Sequence, residues 1–186
     1  WNELHNRLFG THIWLGTVGW FGLLITGFSY KLLPMFYLAH HYPTALQKVV
    51  PVLWNAGAVA GAAAFLLDGN VWLMRSALLL LAAAIVVYNA HTLQIRQHRH
   101  KRSPGTGIQW AVYGNHAFAV AAVAILAYSV WNPMHLFVAK TVTAAGWIYL
   151  AGWVSFAILG YLSKIVPFLW WTYKYGKQAG RPGTPV

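Results

Sequence analysis

Cysteine is absent from the 186 residues, and only two residues are acidic, Glu3 and Asp68. Without cysteine there are no disulfides, thiolate nucleophiles, iron–sulfur clusters or thiolate zinc sites. With two carboxylates, both outside the apolar runs, a carrier driven by intramembrane Asp or Glu is disfavoured, because such carriers charge and discharge a buried carboxylate along the path. The same shortage leaves no Ser-His-Asp arrangement and no His-Glu-x-x-His helix, and no glycine-rich phosphate loop is present, so ordinary hydrolysis and phosphoryl transfer are disfavoured. Charge of any sign is scarce: 8% of residues are charged, against about a quarter in a soluble domain.

What fills the chain instead is apolar: 59% of residues are hydrophobic and the mean hydropathy is +0.51. That is the composition of a membrane protein. Eleven tryptophans and ten tyrosines suit the class, since their amphipathic rings collect at the membrane–water interface. Five spans are expected, about Leu8 to Leu33, Thr44 to Leu67, Val71 to Ile95, Gly107 to Val130 and Phe137 to Val166, each long enough to cross a hydrocarbon core of about 30 Å. Turn chemistry separates them: Pro34 and Pro43, Asp68-Gly69-Asn70, Ser103-Pro104-Gly105 and Asn132-Pro133. The expected fold is all-α, a polytopic membrane bundle over residues 1–172, followed by a basic, Gly/Pro-rich cytoplasmic tail over 173–186. The second span carries small residues, Gly57-x-x-x-Gly61 among alanines, which suit close helix packing. Trp1 is not methionine and no signal-type segment precedes the first span, so further sequence before it, with further helices, is expected.

A net charge of +11 raises the question of nucleic acid, but the position of the charges favours lipid phosphates. Lys31, Lys48, Arg96, Arg99, Lys101, Arg102, Lys164, Lys174, Lys177 and Arg181 all fall at one set of span ends, leaving only Arg7, Arg75 and Lys140 at the other. The positive-inside rule then places the basic side in the cytoplasm and the start of this chain outside. No nucleic-acid-binding module is recognisable.

An internal echo links the first and last spans. Shifting the first by 133 positions (152 minus 19) superposes Gly19-Trp20 on Gly152-Trp153, and also Trp14 on Trp147, Ile25 on Ile158, Gly27 on Gly160, Lys31 on Lys164 and Pro34 on Pro167. His12 falls on Ala145. Four helices apart, the copies run in the same direction, which makes this a parallel repeat.

Nine histidines carry the remaining chemistry. His12, His91 and His116 lie inside spans, where imidazole is costly and is a common metal and haem ligand. Hydrogen bonding to a backbone carbonyl is the structural alternative for each. His91 and His116 flank the basic loop on successive spans. They share a depth if the third helix reaches about His100, and differ by about 7 Å if it ends at Ile95. His12 lies toward the outer face, about 12 Å from mid-membrane, so it does not share an iron with His91. Two sites, or a ligand from a missing segment, are the arrangements left open for it. Gly16, Gly19 and Gly27 near His12 serve helix packing or clear room for a flat macrocycle. His40-His41, His98 and His100 are solvated or sit among cations, and His5 and His135 are outer-side residues.

His12-Ile13-Trp14-Leu15-Gly16-Thr17-Val18-Gly19-Trp20, followed by Ile25, Gly27, Tyr30, Leu33 and Pro34, resembles membrane proteins related to haem-copper oxidase subunit I, in which a helix reads His-x-His-Leu-x-x-x-Gly-Trp, then Gly, Tyr and Pro. Gly152-Trp153-Val154-Ser155 through Gly160-Tyr161 to Pro167-Phe168 looks like the same motif without its histidine. The resemblance implies four-helix arcs around a pseudo-threefold axis, with His12 an axial ligand of b-type haem. Trp14 stands at the second histidine position, and no His-Pro-Glu-x-x-Tyr segment or intramembrane histidine pair follows, so the chain lacks a complete haem-copper centre. The expected function is that of a b-type-haem subunit of a respiratory or related redox complex in the bacterial inner membrane. Haem ligands would come from His12, His91 and His116, and electrons would pass between a partner such as a cytochrome and a quinone or second haem. The alternative is a haem-free structural or anchoring subunit of the same ancestry.

Overall fold

The structure, a computed structural model, describes residues 2–178 except the side chain of Met134. Five helices are long and apolar enough to cross a membrane: Asn2–Tyr37, Ala45–Leu66, Val71–Gln97, Thr106–Trp131 and Ala139–Gln178. The number and order match the expected spans, but the ends do not. The first helix starts before Leu8 and runs past Pro34 to Tyr37, accommodating the proline in its last turn at the loss of one intrahelical donor. Leu38, in the left-handed region at φ 49°, and the bond from Ala39 N–H to the Pro34 carbonyl at 2.9 Å then close it. The last helix likewise continues through Pro167, with α-helical geometry to Tyr175, so Tyr173–Tyr175 belong to the helix and not to the tail. Gly176–Gln178 follow as a short 3-10 turn, and the remainder of the expected tail, residues 179–186 with Arg181, lies outside the described residues.

Each helix packs on the next, and the fifth returns against the first. Gly57 and Gly61 serve two different neighbours: a methyl at Gly57 would collide with Leu81 of the third helix, and one at Gly61 with the Trp14 ring of the first. Between the fourth and fifth helices, Gly107 lies against Ser163 and Gly160 against the Gly107 carbonyl. The fifth helix meets the first through Ser29 Oγ and Tyr161 Oη, 2.5 Å apart, and through Tyr149 Oη, which donates to the Thr17 carbonyl at 2.9 Å. At the centre, Trp54 and Trp153 are buried with ring centroids 5.4 Å apart, and Phe118 stacks on Trp153 at 4.8 Å.

Two helices contain π-helical turns, Leu15–Phe21 and Leu150–Val154. Such turns leave carbonyls without their usual helical donor, and neighbouring side chains supply one. Trp54 Nε1 donates to the Val18 carbonyl at 2.7 Å and Tyr149 Oη to Thr17, while the Leu150 carbonyl takes both the Ser155 backbone N–H and, at 2.9 Å, its Oγ.

Loop contacts define two ends. At one, Lys101 N–H donates to the Tyr37 carbonyl at 3.0 Å and Ala39 bridges to Arg99. At the other, Arg7 pairs with Asp68 at 2.9 Å, and the Arg75 guanidinium donates to the Ser129 carbonyl at 2.8 Å. The Lys and Arg expected at one set of span ends fall in the 98–105 loop, at Arg99, Lys101 and Arg102, and on the helices around it, at Lys31, Lys48, Arg96, Lys164 and Lys174.

Candidate functional site

The three histidines singled out from the sequence occupy three different settings. His12 is exposed on the first helix. One turn on, a methyl group at Gly16 would meet no atom within 4 Å, and the same holds at Gly27. These two glycines face open space, so packing among the described residues does not account for them. Gly19 is different, being buried beside Ala58. Trp14 turns the other way: its Nε1–H donates to the Ala58 carbonyl at 2.9 Å and its ring lies over Gly61.

His91 is fully buried on the third helix. Its ring meets Tyr30 edge-on, with centroids 5.3 Å apart, and Tyr42 at 5.9 Å. Neither ring nitrogen makes a well-formed hydrogen bond among the described residues, although the Gln94 side chain three residues along the helix is close enough to interact with the ring, and Tyr30 Oη is likewise without a partner. A neutral imidazole carries one donor and one acceptor in either tautomer, and leaving such groups buried and unpaired costs about 1–3 kcal/mol each. Among the described residues His91 thus stands out as a fully buried side chain whose two polar atoms both lack a well-formed hydrogen bond. Gln94 was readable from its i, i+3 spacing; Tyr30 and Tyr42 come from another helix and a loop, and nothing in the linear order links them to His91.

His116 is half-buried on the fourth helix. The third helix ends at Gln97 and the fourth begins at Thr106. The level between them is set by Asn89 Nδ2, which donates to the Asn115 carbonyl at 3.2 Å. Counting from that pair, His91 stands opposite residue 113, and His116 is three residues, or about 4.5 Å, further toward the other end. The two histidines are near in depth, but the rings against His91 are Tyr30 and Tyr42. His12 is far from both: Tyr30, which touches His91, is 18 residues further along the first helix (30 minus 12), about 27 Å. Among the described residues no three His, Asp or Glu side chains converge as a metal site. His40 and His41 do not act as a pair either; His40 lies beside His100 of the facing loop at 5.7 Å.

Comparison with family models, curated proteins and solved structures found no match to this chain.

Beside His91, a second polar cluster escaped the sequence reading. Asn115 accepts from Trp153 Nε1 at 2.6 Å and donates to Tyr88 Oη at 3.3 Å. Every partner here is a buried side chain, and Asn115 ties the third, fourth and fifth helices together. Its bonds are largely satisfied, which marks it as a structural tie, in contrast with His91.

Proposed function

We propose that the chain is a membrane subunit of a bacterial respiratory or related redox complex that holds b-type haem and passes single electrons between a partner, such as a cytochrome, and a quinone or second haem. The observation that carries this reading is His91: a buried membrane imidazole with neither nitrogen in a well-formed hydrogen bond fits the donor an iron ligand must present. Haem, when bound, supplies the one-electron chemistry; the chain supplies ligand nitrogens, burial and position. His12, exposed beside Gly16, fits a ligand at an open helix face whose second axial donor belongs to another segment or subunit. His116, half-buried, is the third candidate. The three fit as separate ligands and not as one pair. The 133-residue shift supports the ancestry, since it carries Leu15–Phe21 onto 148–154, a range that contains the second π-helical segment, Leu150–Val154.

The test is a reduced-minus-oxidised visible spectrum of the purified chain with pyridine haemochrome analysis. Haem at a stoichiometric level is expected, its absorbance lost or shifted in at least one of His12→Ala, His91→Ala and His116→Ala. Absence of haem from the chain within its complex defeats the reading, and unchanged spectra in all three variants defeat the site assignment. One observation favours the alternative, a haem-free anchoring subunit. At the position where the resembling motif has its second histidine, Trp14 is a packing residue, bonded to Ala58 and seated on Gly61.

A further inference from the structure

The third helix has a narrow exposed stripe. Leu79, Val86 and Leu93 recur every seven residues and are 57%, 47% and 44% exposed, while Ala82, Ala84, Ile85, Tyr88 and Asn89 between them are buried. Residues three and four apart share a helix face, so the stripe continues from Leu93 to Arg96 and Gln97. There it meets a cleft of about 410 Å³ lined by Leu93, Arg96, Gln97 and Arg99. One side of the cleft is thus aliphatic and continuous with the membrane-facing surface, and the other offers two guanidinium groups and an amide.

The charges in this cleft have no counterion among the described residues. The ion pair among the described residues is Arg7–Asp68, at the opposite end of the bundle, and Glu3 is on that end as well. Lys101 and Arg102 follow within the same loop. Guanidinium forks match phosphate oxygens bidentately, and the run from Leu79 to Leu93, 14 residues or about 21 Å, is comparable to an acyl chain. We propose that the Leu93–Arg99 cleft binds the phosphate headgroup of an anionic phospholipid, with an acyl chain lying along Leu79, Val86 and Leu93. This rests on the chain's membrane insertion and is independent of haem.

Native mass spectrometry of the full chain released from detergent tests it, with phosphatidylglycerol, phosphatidylethanolamine of matched chains, and inorganic phosphate as probes. Phosphatidylglycerol is expected to be retained in preference to phosphatidylethanolamine and to resist excess phosphate. Each arginine near the surface contributes about 1 kcal/mol toward anionic lipid, so R96Q and R99Q should each weaken retention roughly fivefold. L93S should weaken lipid retention alone, and K31Q, at the same end but outside the cleft, should leave it unchanged. Equal retention of both lipids, or an R96Q/R99Q double variant that binds like the parent while K31Q does also, overturns the proposal. Displacement by phosphate alone would make this a free-anion site and overturns it too. A chain that stays dispersed without detergent would instead overturn membrane insertion itself.

Discussion

Side chains from two other segments hold the first π-helical turn, Leu15–Phe21, in place. Trp54 is buried and its Nε1–H is the donor to Val18, while Tyr149 supplies the donor to Thr17. An orphaned buried carbonyl costs about 1–3 kcal/mol. Trp54→Phe and Tyr149→Phe are therefore each expected to lower stability by about that amount in thermal unfolding of the detergent-solubilised chain, with Trp54→Phe the larger because it also removes ring volume from the central stack. Trp20 and Trp147 are 66% and 68% exposed, and their replacement by Phe should shift stability by no more than about 0.5 kcal/mol. Tryptophans at related sequence positions thus behave oppositely. Trp14 points inward and its counterpart Trp147 outward, while Trp20 points outward and Trp153 inward. No composition argument separates them, since the environment of each ring is set by which neighbour its helix meets.

Glycines make the same point for whole helices, and they can be tested as two sets. A methyl group at Gly22 would collide with the Trp54 ring and one at Gly61 with the Trp14 ring, whereas Gly16 and Gly27 look onto open space. Gly22→Ala and Gly61→Ala should each cost about 1–3 kcal/mol through overpacking. Gly16→Ala and Gly27→Ala should be neutral or stabilising by up to about 1 kcal/mol, the helix-propensity gain. Thermal melts of the four variants in detergent separate the sets, and a large loss at Gly16 would mean that a neighbour already packs there. Five helices and their order were legible because apolar runs of that length, punctuated by Asp68-Gly69-Asn70 and Ser103-Pro104-Gly105, admit little else. Helix ends were less so: Pro34 and Pro167 read as stops, yet both sit inside helices, Pro34 in a last turn and Pro167 eight residues before Tyr175 (175 minus 167). The candidate site was legible only as a set of residues. His91 stood out as an intramembrane histidine, but its companions Tyr30 and Tyr42 are 61 and 49 residues away (91 minus 30, 91 minus 42), and only the packing of the first helix on the third brings them to it.

At the level of the molecule, the dominant asymmetry is charge. The 98–105 loop and the adjoining helix ends gather the Lys and Arg residues, and the opposite end keeps Arg7 paired with Asp68 and Arg75 turned onto the Ser129 carbonyl. Under the positive-inside rule this polarity sets the proposed orientation, with the basic loops in the cytoplasm and the start of the chain outside. His91 then lies toward the cytoplasmic side and His12 toward the outer one, so a cofactor held by either would exchange electrons with partners on a different surface. Because the chain has no cysteine, the orientation can be read with single introduced thiols at exposed positions, Thr106→Cys beside the basic loop and Lys140→Cys at the start of the fifth helix. A membrane-impermeant maleimide applied to intact cells is expected to label Lys140→Cys, and Thr106→Cys only after lysis. The reverse pattern would invert the orientation and with it the sides assigned to His12 and His91, while labelling of both in intact cells would rule out a single topology set by these charges.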